Sequence, residues 1–257
     1  MTVRHDGLRV EWLGYATARI EGDDAVVYLD PGRYGVLDGY DAHDGAAGTR
    51  GNSSPVGDGD LVCITHPHHY DPDGVRTVAA SNATVVVYDG IDVEEMDRDV
   101  EAPEDLPYRV LRVDEEDHFA AHGVDGWTLP AYNEPDGPHT RADGTPYHPR
   151  GFGVGYLLSV DGVKCFWPGD SDVLAGHREV DASLFLANIG GTYAMDRHEA
   201  AALAEAMDPE LVLPIHYGTF EALAADSGEF AKDVAKRGVP VVLDEESVEL
   251  WSDGTSG

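Results

Sequence analysis

Ile64-Thr65-His66-Pro67-His68-His69-Tyr70-Asp71-Pro72-Asp73-Gly74 is the stretch that most restricts what this chain can fold into. It places three imidazoles and two carboxylates side by side, after an apolar run at 61–65 and before a helical pattern at 72–80. Histidines at i and i+2 on a tight loop can aim both rings at one ion. Neutral imidazole is a common ligand for zinc and its neighbours. A lone histidine is more often structural, but this density beside aspartates at a strand end favours metal.

Two later segments repeat the arrangement. Phe166-Trp167-Pro168-Gly169-Asp170-Ser171-Asp172 puts a carboxylate just after an apolar run, and Val212-Leu213-Pro214-Ile215-His216-Tyr217-Gly218 does the same with a histidine. Taken singly, a Gly-Asp pair after a strand is usually a turn, and His216 is an ordinary buried histidine. Their common place at the carboxyl end of an apolar run makes His66, His68, Asp170 and His216 one candidate site.

The remaining periodicities set the frame. Residues 8–13, 17–21 and 25–30 alternate apolar and polar and read as strands. The Gly/Asp-rich stretch 32–60 has no period and reads as a long surface loop near the site. Further strands are expected at 61–65, 83–88, 108–113, 126–131, 153–160, 163–167, 182–188, 211–215, 239–243 and 248–251. Helices are expected at 72–80, 93–100, 197–207 with Asp196 as cap, and 220–237 with a break near Gly228. The Pro/Gly/His-rich segment 133–149 is a loop. Strands, then mixed elements, then strands alternating with helices fit an α/β fold of two mixed sheets with helices outside. No repeat or linker divides the 257 residues, so 1–257 reads as a single domain.

Charge narrows the partners. Asp and Glu number 49 against 17 Lys and Arg, for a formal net charge of −32. The acidity is spread along the chain and only Lys164, Lys232 and Lys236 are lysines, a pattern that resembles proteins of salt-in halophiles. It argues against nucleic acid, whose phosphates are bound by Lys and Arg. No apolar run reaches the ~18 residues of a membrane helix, and residues 1–6 carry no apolar signal region. A cytoplasmic, soluble protein acting on a small molecule is expected, without a membrane or nucleic-acid partner and with room for homo-oligomerisation. Cys63 and Cys165 lie in apolar runs and read as buried free thiols.

These motifs resemble the metallo-β-lactamase superfamily. Thr65, His66, His68 and Gly74 match its first signature, T-H-x-H-x-D-H-x-x-G, without a gap. Gly169-Asp170-Ser171 matches its later carboxylate turn, and His216 its last histidine. The segments Trp12–Thr17, Tyr28–Pro31, Pro130–Asn133, Tyr147–Pro149 and Gly190–Asp196 resemble the ascorbate-phosphate lactonase-like branch. The resemblance implies a four-layer αββα sandwich and a hydrolase holding one or two Zn²⁺, with Mn²⁺ or Fe²⁺ as alternatives. It implies a further histidine ligand from the loop after residue 131, either His139 or His148. His148 is favoured because that branch carries His-Pro in this loop before a Gly-Tyr strand.

The chain departs from the family where the second metal is held. The family's Asp-His pair is Tyr70-Asp71 here. Asp71 is the candidate replacement ligand, while His69 would have to reach from the other side of the loop. One ion, two ions in an altered second position, or a purely structural ion all follow from this change. The candidate metal ligands are therefore His66, His68, His148, Asp170, His216 and Asp71. The candidate catalytic groups are Asp170, Asp71, His216 and Tyr70, with Tyr70 and Tyr193 as hydrogen-bond donors in the cleft. Asp30 either supports a ligand imidazole or caps the turn at Pro31. Hydrolysis of a lactone or other cyclic ester, an amide or a phosphodiester is the reading that follows. A metal-stabilised scaffold or binding protein is the alternative.

Overall fold

The computed structural model describes residues 2–38 and 57–244. Most of the stretch 32–60 and the expected strand 248–251 lie outside the described residues.

The first sheet has seven strands in sequential order: β1 (Val3–His5), β2 (Leu8–Gly14), β3 (Thr17–Glu21), β4 (Val26–Leu29), β5 (Gly59–Ile64), β6 (Ala79–Tyr88) and β7 (Arg109–Val113). Its first half is an antiparallel meander, and β4 to β7 run parallel. The second sheet comprises β8 (His118–Ala121), β9 (Val124–Ala131), β10 (Gly153–Val160), β11 (Val163–Trp167), β12 (Leu184–Asn188) and β13 (Leu211–Ile215). Here β8 to β11 are antiparallel, while β11, β12 and β13 are parallel. Helix α1 (Pro72–Val78) flanks the first sheet against β6; α2 (Arg197–Met207) flanks the second against β12, with α3 (Ser227–Lys236) packed on α2. Two mixed sheets with outer helices make the αββα sandwich.

The sequence explains which strands sit where. Strands covered on both faces read as unbroken apolar runs. Leu61–Ile64, Val85–Val87 and Leu184–Ala187 are such runs, and all are fully buried. At the meander edge polar residues intrude, and the buried Arg19 is paired with Glu21 at 2.6 Å and Asp58 at 2.5 Å. Tyr156 fixes the second sheet to the first by donating its hydroxyl hydrogen to the Ile64 carbonyl at 2.9 Å.

Some elements differ from expectation for local reasons. The helix expected at 93–100 is only a 3₁₀ turn, Val93–Glu95, capped by Asp92. Val93, Met96 and Val100 still pack against the core, but the turn stops at Met96, whose backbone is extended. The expected helix 220–237 divides into a 3₁₀ turn, Glu221–Leu223, and α3, because Asp226 caps a fresh start by accepting from Glu229 N–H. Residues 239–243 contribute a single bridge, Val212 to Val241, rather than a strand. Two short strands, β1 and β8, carry too little periodicity to stand out.

His177 provides a pH test of the fold. Burial pushes its pKa down to about 4, against a hydrogen bond to the Pro130 carbonyl that favours the proton. The unfolded chain binds this proton below about 6.5 and the folded chain does not. Stability is therefore lost as pH falls from about 6.5 toward 4, with a slope approaching about 1.4 kcal/mol per pH unit from this group. Denaturant unfolding of His177→Gln is expected to show a shallower fall than wild type over that interval.

Candidate metal centre

The candidate residues converge because they leave the carboxyl ends of the parallel strands of both sheets. This is the edge where open α/β sheets place their ligands. His66, His68 and His69 follow β5, Asp30 follows β4, Asp170 follows β11 and His216 follows β13. His148 comes from the long loop between β9 and β10.

Asp170 is the centre of the cluster. Its Oδ2 lies 3.7 Å from His66 Nε2, 3.7 Å from His69 Nε2 and 3.6 Å from His148 Nε2. Its Oδ1 lies 3.4 Å from His216 Nε2 and accepts from Asn188 Nδ2 at 3.0 Å. Burial opposes its ionisation, but the surrounding imidazoles, His216 and His69 foremost, outweigh that and hold its pKa down to about 2.

The outward ring nitrogens show which nitrogens face inward. A carbonyl or carboxylate can only accept, so a ring nitrogen bonded to one carries the hydrogen. His148 Nδ1 donates to the Tyr193 carbonyl at 3.0 Å, leaving its Nε2 toward the cluster. His69 Nδ1 donates to Asp30 Oδ2 at 2.9 Å, leaving its Nε2 3.2 Å from His216 Nε2. Thr65 Oγ1 donates to Asp30 Oδ2 at 2.9 Å and so accepts from His66 Nδ1 at 2.9 Å. His66 Nε2 is then buried with no hydrogen-bond partner. His68 Nδ1 and His148 Nε2 face each other at 3.2 Å. Burial pushes the His66, His68, His148 and His216 pKa values down, to about 4 for His68 and His216. Neutral rings with lone pairs aimed at one another and at a carboxylate are unfavourable alone. They are what a divalent cation requires.

Ligand atoms of His66, His68 and His148 lie within 4.8 Å of one another, as do those of His66, His69 and Asp170. His216 adjoins the second group through His69 and Asp170. The residues present thus fit a metal, in two overlapping donor groups that share His66, with Asp170 Oδ2 3.7 Å from His66 and 3.6 Å from His148.

His69, rather than Asp71, lies among the clustered donor atoms, while the side chains of Asp71 and Tyr70, both expected at the site, are engaged elsewhere. Asp71 is the N-cap of α1: its carboxylate accepts from Asp73 N–H and Gly74 N–H, and from Arg33 N–H at 2.7 Å. Tyr70 is fully buried and donates to the Glu101 carbonyl at 2.8 Å, away from the cleft. His69 reaches the cluster because Asp30 holds its far nitrogen. Its pKa is raised: burial opposes the proton, but Asp30 and Asp170 on either side outweigh it. The His-His-Tyr-Asp order carried this signal, since it sets a second imidazole beside His68, a donor type that Tyr70 is not.

His139 does not join the cluster. Its Nδ1 lies 2.6 Å from Asp172 Oδ1, which also accepts from Asn133 Nδ2 at 2.9 Å. Asn133 in turn accepts from His148 N–H at 2.7 Å. The His139–Asp172–Asn133 chain therefore sets the loop that carries His148.

A cavity of about 250 Å³ opens above the cluster, walled by Tyr15, Arg33, Tyr34 and Phe220 on one side and by Tyr147 and Tyr193 on the other. His68, His148, Asp170 and His216 line its floor.

Residues 9–216 match the family model described as a β-lactamase superfamily domain. The chain is 31% identical to a UPF0173 metal-dependent hydrolase of Pyrococcus furiosus, with 95% of this chain and 100% of the relative covered. It is 28% identical to one of Methanopyrus kandleri, over 91% of this chain and 94% of that protein. The crystal structure of a metal-dependent hydrolase from Parabacteroides distasonis superposes with a TM-score of 0.67 at 20% identity, covering 95% and 96% of the two chains, and supports the fold.

Substitutions separate the two candidates for the second position. His69→Ala is expected to reduce the metal content of the purified protein, measured by plasma emission. Asp71→Ala is expected to keep that content while losing about 1 kcal/mol of stability as a helix cap. Asp30→Asn places an amide where four groups donate, and is expected to weaken metal binding about 10–100-fold in a chelator competition assay.

Proposed function

The chain belongs to the β-lactamase superfamily, and from that premise we propose that it is a metal-dependent hydrolase of a small anionic or polar molecule with two metal positions. His66, His68 and His148 hold one position; His69 and His216 hold the other, with Asp170 shared. One observation carries this reading: the His69 and His216 Nε2 atoms, both buried, face each other at 3.2 Å beside the Asp170 carboxylate. The printed names of the curated relatives, metal-dependent hydrolases, support the same class.

Zinc is the first candidate because the set is rich in imidazole with a single carboxylate, Mn²⁺ and Fe²⁺ being alternatives. When bound, such an ion supplies a Lewis acid and brings the pKa of water to about 7. The protein's own groups do the rest. Asp30, Thr65 and the Tyr193 carbonyl fix the tautomers of His69, His66 and His148 so that each presents a lone pair. Asp170 accepts a hydrogen bond from Asn188 and stays ionised to orient water or accept its proton. Tyr15 sets its ring against His216 at 4.7 Å and excludes water from that side of the cluster. Tyr193 lines the opposite wall and can donate to a substrate oxygen.

The cavity of about 250 Å³ supports a small substrate, and a lactone or other cyclic ester, an amide or a small phosphodiester is the proposed class. The dispersed acidity suits work in concentrated salt, where self-repulsion is screened. Among the described residues no helix is long and apolar enough to cross a membrane.

Panels of lactones, amides and phosphodiesters assayed in high salt with Zn²⁺, Mn²⁺ or Fe²⁺ test the reading. Turnover of at least one panel is expected, lost with chelator and reduced at least about 100-fold in His66→Ala, as expected when a Lewis acid is removed. Metal-bound protein without turnover of any panel supports the scaffold alternative instead.

A further inference from the structure

One wall of the cavity is built for something the metal ligands do not explain. Arg33 and Tyr34 stand on it, after the turn at Asp30-Pro31-Gly32. Both hold left-handed backbone, with φ 63° and 49°, between Gly32 at 101° and Gly35 at 69°. Residues with a Cβ disfavour that region, and strain of this kind gathers where side chains must be aimed. Two interactions hold the turn: Asp71 accepts from Arg33 N–H at 2.7 Å, and Thr17 Oγ1 accepts from Gly32 N–H at 3.1 Å. Gly74 lies so close to the turn that a Cβ there would overlap the Pro31 carbonyl. Asp71, at a family ligand position, thus fixes the wall that carries Arg33.

The guanidinium of Arg33 has no carboxylate partner among the described residues, and its Nε is buried without an acceptor. Arg9, Arg19, Arg76, Arg112, Arg197 and Arg237 pair with carboxylates, whereas Arg33 lines the cavity without such a pair among the described residues. Arg33 instead lies 5.0 Å over the Tyr34 ring. Tyr34 in turn meets Tyr15 edge-on at 4.8 Å and Phe220 at 5.0 Å. A second guanidinium, Arg98, stands near and, among the described residues, donates to the carbonyls of Pro67 and Tyr70. Burial, and then the charge of Arg33, lower its pKa. The nearby acid, Asp71, already spends its oxygens on backbone N–H groups.

A planar guanidinium with free donors matches two oxygens of a carboxylate or phosphate. We propose that Arg33 anchors an anionic group of the substrate, held against the Tyr34–Tyr15–Phe220 wall while the bond to be cleaved lies over Asp170 and the histidines. This rests on the hydrolase reading of the same cavity. It gives the substrate two parts: a carboxylate or phosphate for Arg33 and a hydrolysable carbonyl or phosphoryl group for the centre. A cavity of about 250 Å³ keeps both parts within one small molecule.

The test separates the anchor from the metal. Metal-free and Zn²⁺-loaded protein are titrated calorimetrically with inorganic phosphate and with succinate at constant ionic strength, for wild type, Arg33→Gln and Arg33→Lys. The metal-free wild type is expected to bind at least one of the two, and the better ligand assigns the group as phosphate or carboxylate. Arg33→Gln is expected to weaken that binding at least tenfold. Arg33→Lys keeps the charge but loses the fork and is expected to fall between them; it also serves should Arg33→Gln fail to fold. Uptake of Zn²⁺, Mn²⁺ and Fe²⁺ is measured in parallel. Failure of the metal-free wild type to bind either anion, or equal binding by Arg33→Lys, Arg33→Gln and wild type, overturns the anchor. Absence of uptake of Zn²⁺, Mn²⁺ and Fe²⁺ alike, with anion binding intact, instead overturns the hydrolase reading and leaves the anchor standing.

Discussion

The rest of the site depends on one buried carboxylate, Asp30. It follows β4 and is only 1% exposed. It accepts from Thr65 N–H at 2.8 Å, Thr65 Oγ1 at 2.9 Å, His69 Nδ1 at 2.9 Å and Trp167 Nε1 at 2.8 Å. A buried ion is costly unless its lone pairs are filled, and these four donors fill them. They come from the loop after β5 and from β11, so the carboxylate ties both sheets together at the edge where the histidines emerge. Through Thr65 it also sets His66, and through His69 it sets the second metal position.

The layered fold makes this economy possible. Parallel strands on each side of the sandwich end at the same rim, so short loops suffice to bring Asp170, His216 and the three histidines after β5 within reach of one another. The one ligand that needs a long loop, His148, is held by its own network. Asn133 grips its backbone in both directions, donating N–H to the His148 carbonyl at 2.7 Å and accepting from its N–H at 2.7 Å. Asp172 and His139 brace Asn133. Rigid strand ends and one braced loop together give imidazoles whose tautomers are fixed by outward partners, as metal sites require.

Much of this was legible in the sequence, and the rest was hidden for physical reasons. The apolar runs before His66, Asp170 and His216 disclosed both the buried strands and the site at their carboxyl ends, because strands buried on both faces cannot conceal their composition. His148 was favoured over His139 only by resemblance; the pairing of His139 with Asp172 depends on a contact across 33 positions that no local pattern records. Asp71 illustrates the reverse error. It sits at a ligand position by spacing, yet one residue before Pro72 it is also an ideal helix cap, and capping won. His69 reaches the cluster because Asp30, far off in sequence, orients its ring, and the proposal gives it the vacated role. Arg33 could not be singled out, since its place on the cavity wall beside Tyr34, with Nε buried and without an acceptor among the described residues, depends on contacts that only the folded chain makes.

The central claim is that His69 replaces the family's Asp-His pair and completes a metal position with His216 and Asp170. Anomalous scattering at the zinc edge from crystals grown with Zn²⁺ and without chelator tests it directly. The expected result is density among His66, His68, His148 and Asp170 and among His69, His216 and Asp170, with Asp71 still capping its helix. Density bound by Asp71 with His69 turned away, or none at this rim, would contradict it.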